Sequence, residues 1–80
     1  MTAKVYVTLK KAVLDPQGKA VERSLAHLGF PQARNVRVGR FIEFGLEAKS
    51  SAEAKTIVDA MCKKLLANTV IEDYRFEIAE

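Results

Sequence analysis

Residues 36–46 read VRVGRFIEFGL, and they limit the fold more than any other stretch. Val36, Val38, Ile42, Phe44 and Leu46 all occupy even positions, and Arg40 is the one even residue that breaks the apolar series. A strand turns successive side chains to opposite faces, so a slip of one residue carries the whole set to the wrong side. A two-residue hairpin at Gly39-Arg40 fails this test, because it sets Val36 against Glu43 and Ile42 beside Arg37. The phase instead predicts one unbroken strand of about a dozen residues, bent at Gly39, reaching about 40 Å. That is longer than a monomer of 80 residues covers, so the sheet is expected to be extended by oligomerisation.

The flanking segments supply the other elements. In KVYVTLK, Val5, Val7 and Leu9 face one way while Tyr6, Thr8 and Lys10 face the other, as in a half-buried strand. Asp15 followed by Pro16 is a helix start: the carboxylate accepts from free amides, and proline suits a position that needs no N–H. Val21, Leu25 and Leu28 then recur at helical spacing, and Gly29 with Phe30 marks the stop, so a helix is predicted from about Pro16 to Leu28. Ser50 and Glu53 form a capping box. Ala54, Ile57, Val58, Met61, Leu65 and Leu66 give a second amphipathic helix that stops by Asn68. VIEDYRFEI returns to alternation, with Tyr74, Phe76 and Ile78 on one face. The order is β-α-β(long)-α-β. The expected class is α+β, a two-layer sandwich with two helices on one face of a mostly antiparallel sheet.

Residues 1–80 are expected to form a single domain. A chain this short removes only roughly two-thirds of its unfolded surface from water, so one thin core is the limit. With 49% apolar residues, it is a candidate for burial against other chains. The net charge is +3, from 13 basic and 10 acidic side chains of interspersed sign, which argues against a phosphate-driven nucleic-acid binder. Cys62 is the sole cysteine, and the first residues lack the apolar run of a signal peptide. A cytoplasmic location with no membrane association is expected.

The stretch LDPQGK places glycine and lysine where a phosphate-binding loop has them, but such loops need several glycines and a Ser or Thr after the lysine. Here Gly18 stands alone inside the first helical turn, so the stretch reads as helix initiation. His27 has no nucleophile near it in sequence, and Cys62 sits on the apolar side of its helix, where a thiol is inert. One His and one Cys cannot build a zinc site. Glu72, Asp73 and Glu77 read as a solvated or partner-facing edge rather than an acid–base pair. No catalytic residues, metal site or cofactor site are assigned to the chain.

A competing class is an RNA-binding module. VYVTLK resembles one signature strand of the RNA-recognition fold and FIEF the end of the other, and in that fold aromatics on neighbouring strands stack bases. RVGR before Phe41 departs from the signature, and the phase of residues 36–46 denies the hairpin it needs.

Taken together, VYVTLKKAVLDPQGKAVERSLAHLGF, VRVGRFIEF and CKKLLANTVIEDYRFEI resemble the PurS subunit family of phosphoribosylformylglycinamidine synthase. LDPQGKAV and LLANTVIEDYRFEI are the most specific pieces; Thr69 departs from a proline common in the family. The resemblance implies a small non-catalytic subunit for de novo purine biosynthesis. Its partners would be a glutaminase subunit and a large synthetase subunit, which use the glutamine and ATP, and it would bridge them and assist ammonia transfer. It would also be a homodimer or tetramer. Three features lack an evident role within one small domain: Gly18 in a helix, Arg40 in an apolar face, and the EDYR edge. Pro16, Gln17, Gly18, Arg40, Asp73 and Tyr74 are therefore the candidates for contact with other subunits or a second copy.

Overall fold

A computed structural model describes all residues, 1–80. The elements are β1 (Thr2–Leu9), α1 (Pro16–His27), β2 (Arg40–Gly45), α2 (Ser51–Met61) and β3 (Glu72–Ala79). Helix α2 continues into one wider π turn, Cys62–Leu66, closed by the Ala67 amide donating to the Cys62 carbonyl at 3.0 Å. The sheet runs in the order β2-β1-β3, with both pairings antiparallel. The expected α+β class and element order are those observed.

The register explains the core. Val5 stands between Ile42 and Phe76, and Ala3 between Phe44 and Ile78. These residues share one face, and α2 covers it with Ala54, Val58 and Cys62, all fully buried. Each fully buried valine, Val5, Val7 and Val58, contributes roughly 1.5–3 kcal/mol. Nine of 80 residues are buried, so the core is one layer thick. Leu65 and Val70 remain more than four-fifths exposed, at 83% and 81%.

The even phase of residues 36–46 survives, but the long strand does not. No hairpin forms at Gly39-Arg40: β2 starts at Arg40, which pairs with Val7 on the α2 side. Pairing with β1 begins only at Arg40, so the strand has six residues rather than a dozen. The amides of Val36 and Val38 are claimed elsewhere, by Glu22 Oε1 at 3.0 Å and Asp15 Oδ2 at 2.8 Å. Gly39 lies against β1 so closely that a Cβ there would stand 2.5 Å from the Val7 carbonyl oxygen. Two side chains of the first helical segment thus hold residues 36–39 away from the ladder.

Helix α1 begins and ends as its sequence dictates. Asp15 caps it, Pro16 opens it, and Gly29 takes a left-handed φ of 99°. The Phe30 amide returns to the Leu25 carbonyl at 2.8 Å and the Gly29 amide to Ala26 at 3.2 Å, the paired bonds of a glycine stop. The seating of α1 differs from expectation. It buries only Gly18, and Val21 and Leu28 stay 42% and 72% exposed. Helix α2 alone covers the core, while α1 is fastened through its first turn and leaves its apolar stripe open. The molecule is accordingly elongated, 50 × 26 × 14 Å.

The isolated Gly18 has an internal cause. A Cβ there would overlap the Val36 carbonyl oxygen, so the close approach comes from the chain's own residues 36–38. Gly18→Ala is expected to destabilise the fold by about 1–3 kcal/mol, although alanine favours helices, because the neighbour is backbone and cannot step aside cheaply. Urea unfolding checks this; a gain in stability would show that residues 36–38 are not held as described.

Candidate functional site

Asp15 is the most enclosed charged residue, 3% exposed. Its Oδ1 accepts from the Gly18 amide at 2.9 Å and its Oδ2 from the Val38 amide. The Gly18 bond, then the Val38 bond, hold its carboxyl below the usual carboxylate range. Arg37 fastens the same corner from outside, donating through Nη2 to the Lys10 and Val13 carbonyls at 2.9 and 2.8 Å.

Arg40 and Glu72 form a second built junction. The guanidinium grips the carboxylate with two prongs, Nη1 to Oε2 at 2.9 Å and Nη2 to Oε1 at 3.1 Å. Nη2 also reaches the Leu66 carbonyl at 2.8 Å. Glu72 Oε1 accepts from the Asn68 amide at 2.7 Å, and that bond is the main cause of its lowered pKa, with Arg40 acting in the same direction. Arg40 thus closes the end of the apolar face and pins the loop between the π turn and β3. Gln17 shares a cleft of about 160 Å³ with this pair.

A third junction joins β3 to α2. The Tyr74 hydroxyl donates to Asp59 Oδ1 at 2.5 Å, and Lys63 pairs with Asp59 Oδ2 at 2.8 Å. Lys63, then Tyr74, lower the Asp59 pKa; the Asp59 bond raises those of Tyr74 and Lys63. Cys62 beside them is fully buried, and desolvation pushes its thiol upward, away from reactivity. Asp73 points from the opposite sheet face and pairs with Lys10 at 3.1 Å.

The six contact candidates therefore divide. Pro16, Gln17, Arg40 and Asp73 are exposed. Gly18, Arg40 and Tyr74 each have a role inside the chain, contrary to the sequence-based argument that they lack one. Gln17 and Arg40 line one cleft, while Gly18 lies against Val36 and Asp15; Asp73 and Tyr74 lie on opposite faces of β3. Sequence reasoning missed Glu72 as the partner of Arg40. The signal was present: each is the polar exception in an even-phase apolar series, and both exceptions fall on the buried face.

The open sheet face carries Tyr6 and Phe41 with ring centroids 5.1 Å apart, and the Arg75 guanidinium lies 3.9 Å from the Tyr6 ring centre. Two neighbouring aromatics are present, as an RNA-recognition surface would have. Lys4 pairs with Glu43 and Arg75 with Glu77, so the face lacks the excess positive charge that draws a phosphate backbone.

An apolar groove of about 690 Å³ runs beside α2, lined chiefly by Phe44, Ile57, Ala60, Met61, Leu65 and Leu66. Together with the bare stripe of α1, it gives the class of this molecule: a small β-α-β-α-β module with two uncovered apolar surfaces. The chain belongs to the PurS family, described as phosphoribosylformylglycinamidine (FGAM) synthase, whose model matches residues 2–80. It is 51% identical over 77 residues to the phosphoribosylformylglycinamidine synthase subunit PurS of Bacillus subtilis, covering 96% of this chain and 90% of that protein. The fold superimposes on the purS subunit of Thermotoga maritima with a TM-score of 0.89 at 30% identity, covering 95% of this chain and 87% of that one. It also matches a chain in the structure of PurLQS from Thermotoga maritima, with a TM-score of 0.84 at 30% identity and 96% of each chain covered.

The Arg40–Glu72 junction should be measurable. A double-mutant cycle of Arg40→Ala and Glu72→Ala in urea unfolding is expected to return a coupling of about 1 kcal/mol, the upper end for pairs with one exposed partner. A coupling near zero would mean the fork does not hold the loop.

Proposed function

We propose that the chain is the small, non-catalytic subunit of a phosphoribosylformylglycinamidine synthase complex. It bridges the glutaminase subunit and the large ATP-using synthetase subunit and assists ammonia transfer between them. The observation that carries this is the match along 96% of the chain to a chain of the PurLQS structure. The chain's own layout supports it: Cys62 is buried without a base, His27 is exposed on α1, and the carboxylates of Asp15, Asp59 and Glu72 are each consumed by structural bonds. Glutamine and ATP are then handled by the partners, and this chain binds no cofactor. Ammonia released into water is protonated and diluted, whereas a closed interface keeps it local. Work in the cytoplasm belongs to the same proposal; no helix is long and apolar enough to cross a membrane.

Within that complex, the exposed ends of the candidate set, Pro16, Gln17 and Asp73, make the subunit contacts, and Gly18, Arg40 and Tyr74 hold them in place. Reconstitution with both partner subunits tests this. Gln17→Glu and Asp73→Lys should lower glutamine-dependent synthesis several-fold while leaving synthesis from added ammonium nearly unchanged. Full glutamine-dependent activity in both variants would remove this surface from the bridge. Glutamine hydrolysis or ATP turnover by the isolated chain, abolished by Cys62→Ala, would overturn the non-catalytic assignment.

A homo-oligomer, dimer or tetramer, is part of the proposal. Apolar area is left bare both on α1, at Val21, Leu28 and Phe30, and in the groove beside α2. Leu28→Glu and Leu65→Glu, both at positions already exposed within the monomer, should shift sedimentation from oligomer to monomer without loss of helical signal. A monomeric unmodified chain would refute the idea.

A further inference from the structure

A cavity of about 510 Å³ lies between the first turns of α1 and the residues around Val36, lined by Lys11, Asp15, Lys19, Glu22, Asn35 and Arg37 beside it. Its charges do not pair with one another. The carboxylates are spent on backbone amides: Asp15 on Gly18 and Val38, Glu22 through Oε1 on Val36. Neither Lys11 nor Lys19 takes part in any of the ion pairs of the fold. Arg37 is fixed in place by the two carbonyls its Nη2 serves, which leaves its other donors uncommitted. One held guanidinium therefore stands beside two unpaired ammonium groups at a concave site.

We propose that this cavity binds a small phosphate-bearing anion, either inorganic phosphate or the phosphate of a nucleotide. The helix start does not create the site, since Asp15 already occupies the Gly18 amide; the three cations do. A planar guanidinium and two compact ammonium groups suit the oxygens of a phosphate dianion. The volume falls within the range of small-molecule sites. Asp15 and Glu22 both work against the ligand, because accepting an amide leaves a carboxylate its charge; Glu22 is the less buried of the two, and its second oxygen has no donor. That opposition gives the site a two-signed signature. Removing a lysine charge weakens binding, and removing the Glu22 charge strengthens it.

The test is amide chemical-shift titration of the full chain at low ionic strength, with sodium phosphate in one arm and ADP in the other, against sodium chloride of matched ionic strength. Saturable shifts confined to residues around Lys11, Lys19 and Arg37 are expected. Lys11→Gln and Lys19→Gln should each weaken binding about three- to fivefold, the scale of one exposed charge pair. Glu22→Gln, which keeps the acceptor for Val36, should tighten it by a similar factor. Lys49→Gln and Lys55→Gln, elsewhere on the surface, should change nothing. Tighter binding of ADP assigns a nucleotide as the natural source, and equal binding assigns the phosphate group alone. Shifts that track chloride equally, or that Lys49→Gln reduces as much as Lys19→Gln does, would overturn the site, as would weaker binding in Glu22→Gln.

Discussion

Asp15 Oδ1 takes the Gly18 amide and Oδ2 the Val38 amide, so one almost buried carboxylate joins the start of α1 to the approach of β2. The attachment of α1 to the sheet depends on that corner, because no other residue of the helix than Gly18 is buried. Gly18 is required there for the same reason, as the backbone of residue 36 passes where a side chain would begin. Glu22 repeats the arrangement about two turns later by taking the Val36 amide. The consequence reaches the sheet. With two of its amides bound to helical carboxylates, the segment before Arg40 cannot lengthen β2 within the monomer.

The rest of the molecule follows from a thin core. Strand β1 is paired on both edges, and α2 shields its inner face, which completes what one chain of this size can bury. The polar groups at the margins of that core are satisfied by junctions, with Arg40–Glu72 at one end and Tyr74–Asp59–Lys63 along β3. What lies beyond the margin is apolar and uncovered, on α1 and in the groove beside α2. Such area in water is a standing driving force for association.

The sequence carried the fold through patterns that local physics enforces. Even-phase alternation in 36–46 and 74–78, the Asp-Pro start of α1, the Gly29 stop and the Ser50 cap all appear where their chemistry puts them. It carried less of the candidate site, because the missing information was tertiary. Nothing local reveals that Asp15 has a second amide to serve 23 residues away, or that Arg40 meets Glu72 across 32 positions. Alternation alone also overstated β2, since periodicity continues through residues whose hydrogen bonds go elsewhere. The exposed stripe of α1 could not be read at all: an amphipathic helix looks the same whether its apolar face meets its own sheet or another chain.

That ambiguity bears on the proposed role. A helix fastened at one corner, with its apolar side in solvent, gains most of its packing only when another surface covers it. The caps and corner bonds form the helix in the single chain already, so covering its stripe in the proposed assembly adds burial rather than order. For a subunit proposed to seal ammonia between two catalytic partners, such burial has a physical advantage. Apolar area covered on assembly excludes water from the joint, and water is what would protonate a small neutral molecule held there.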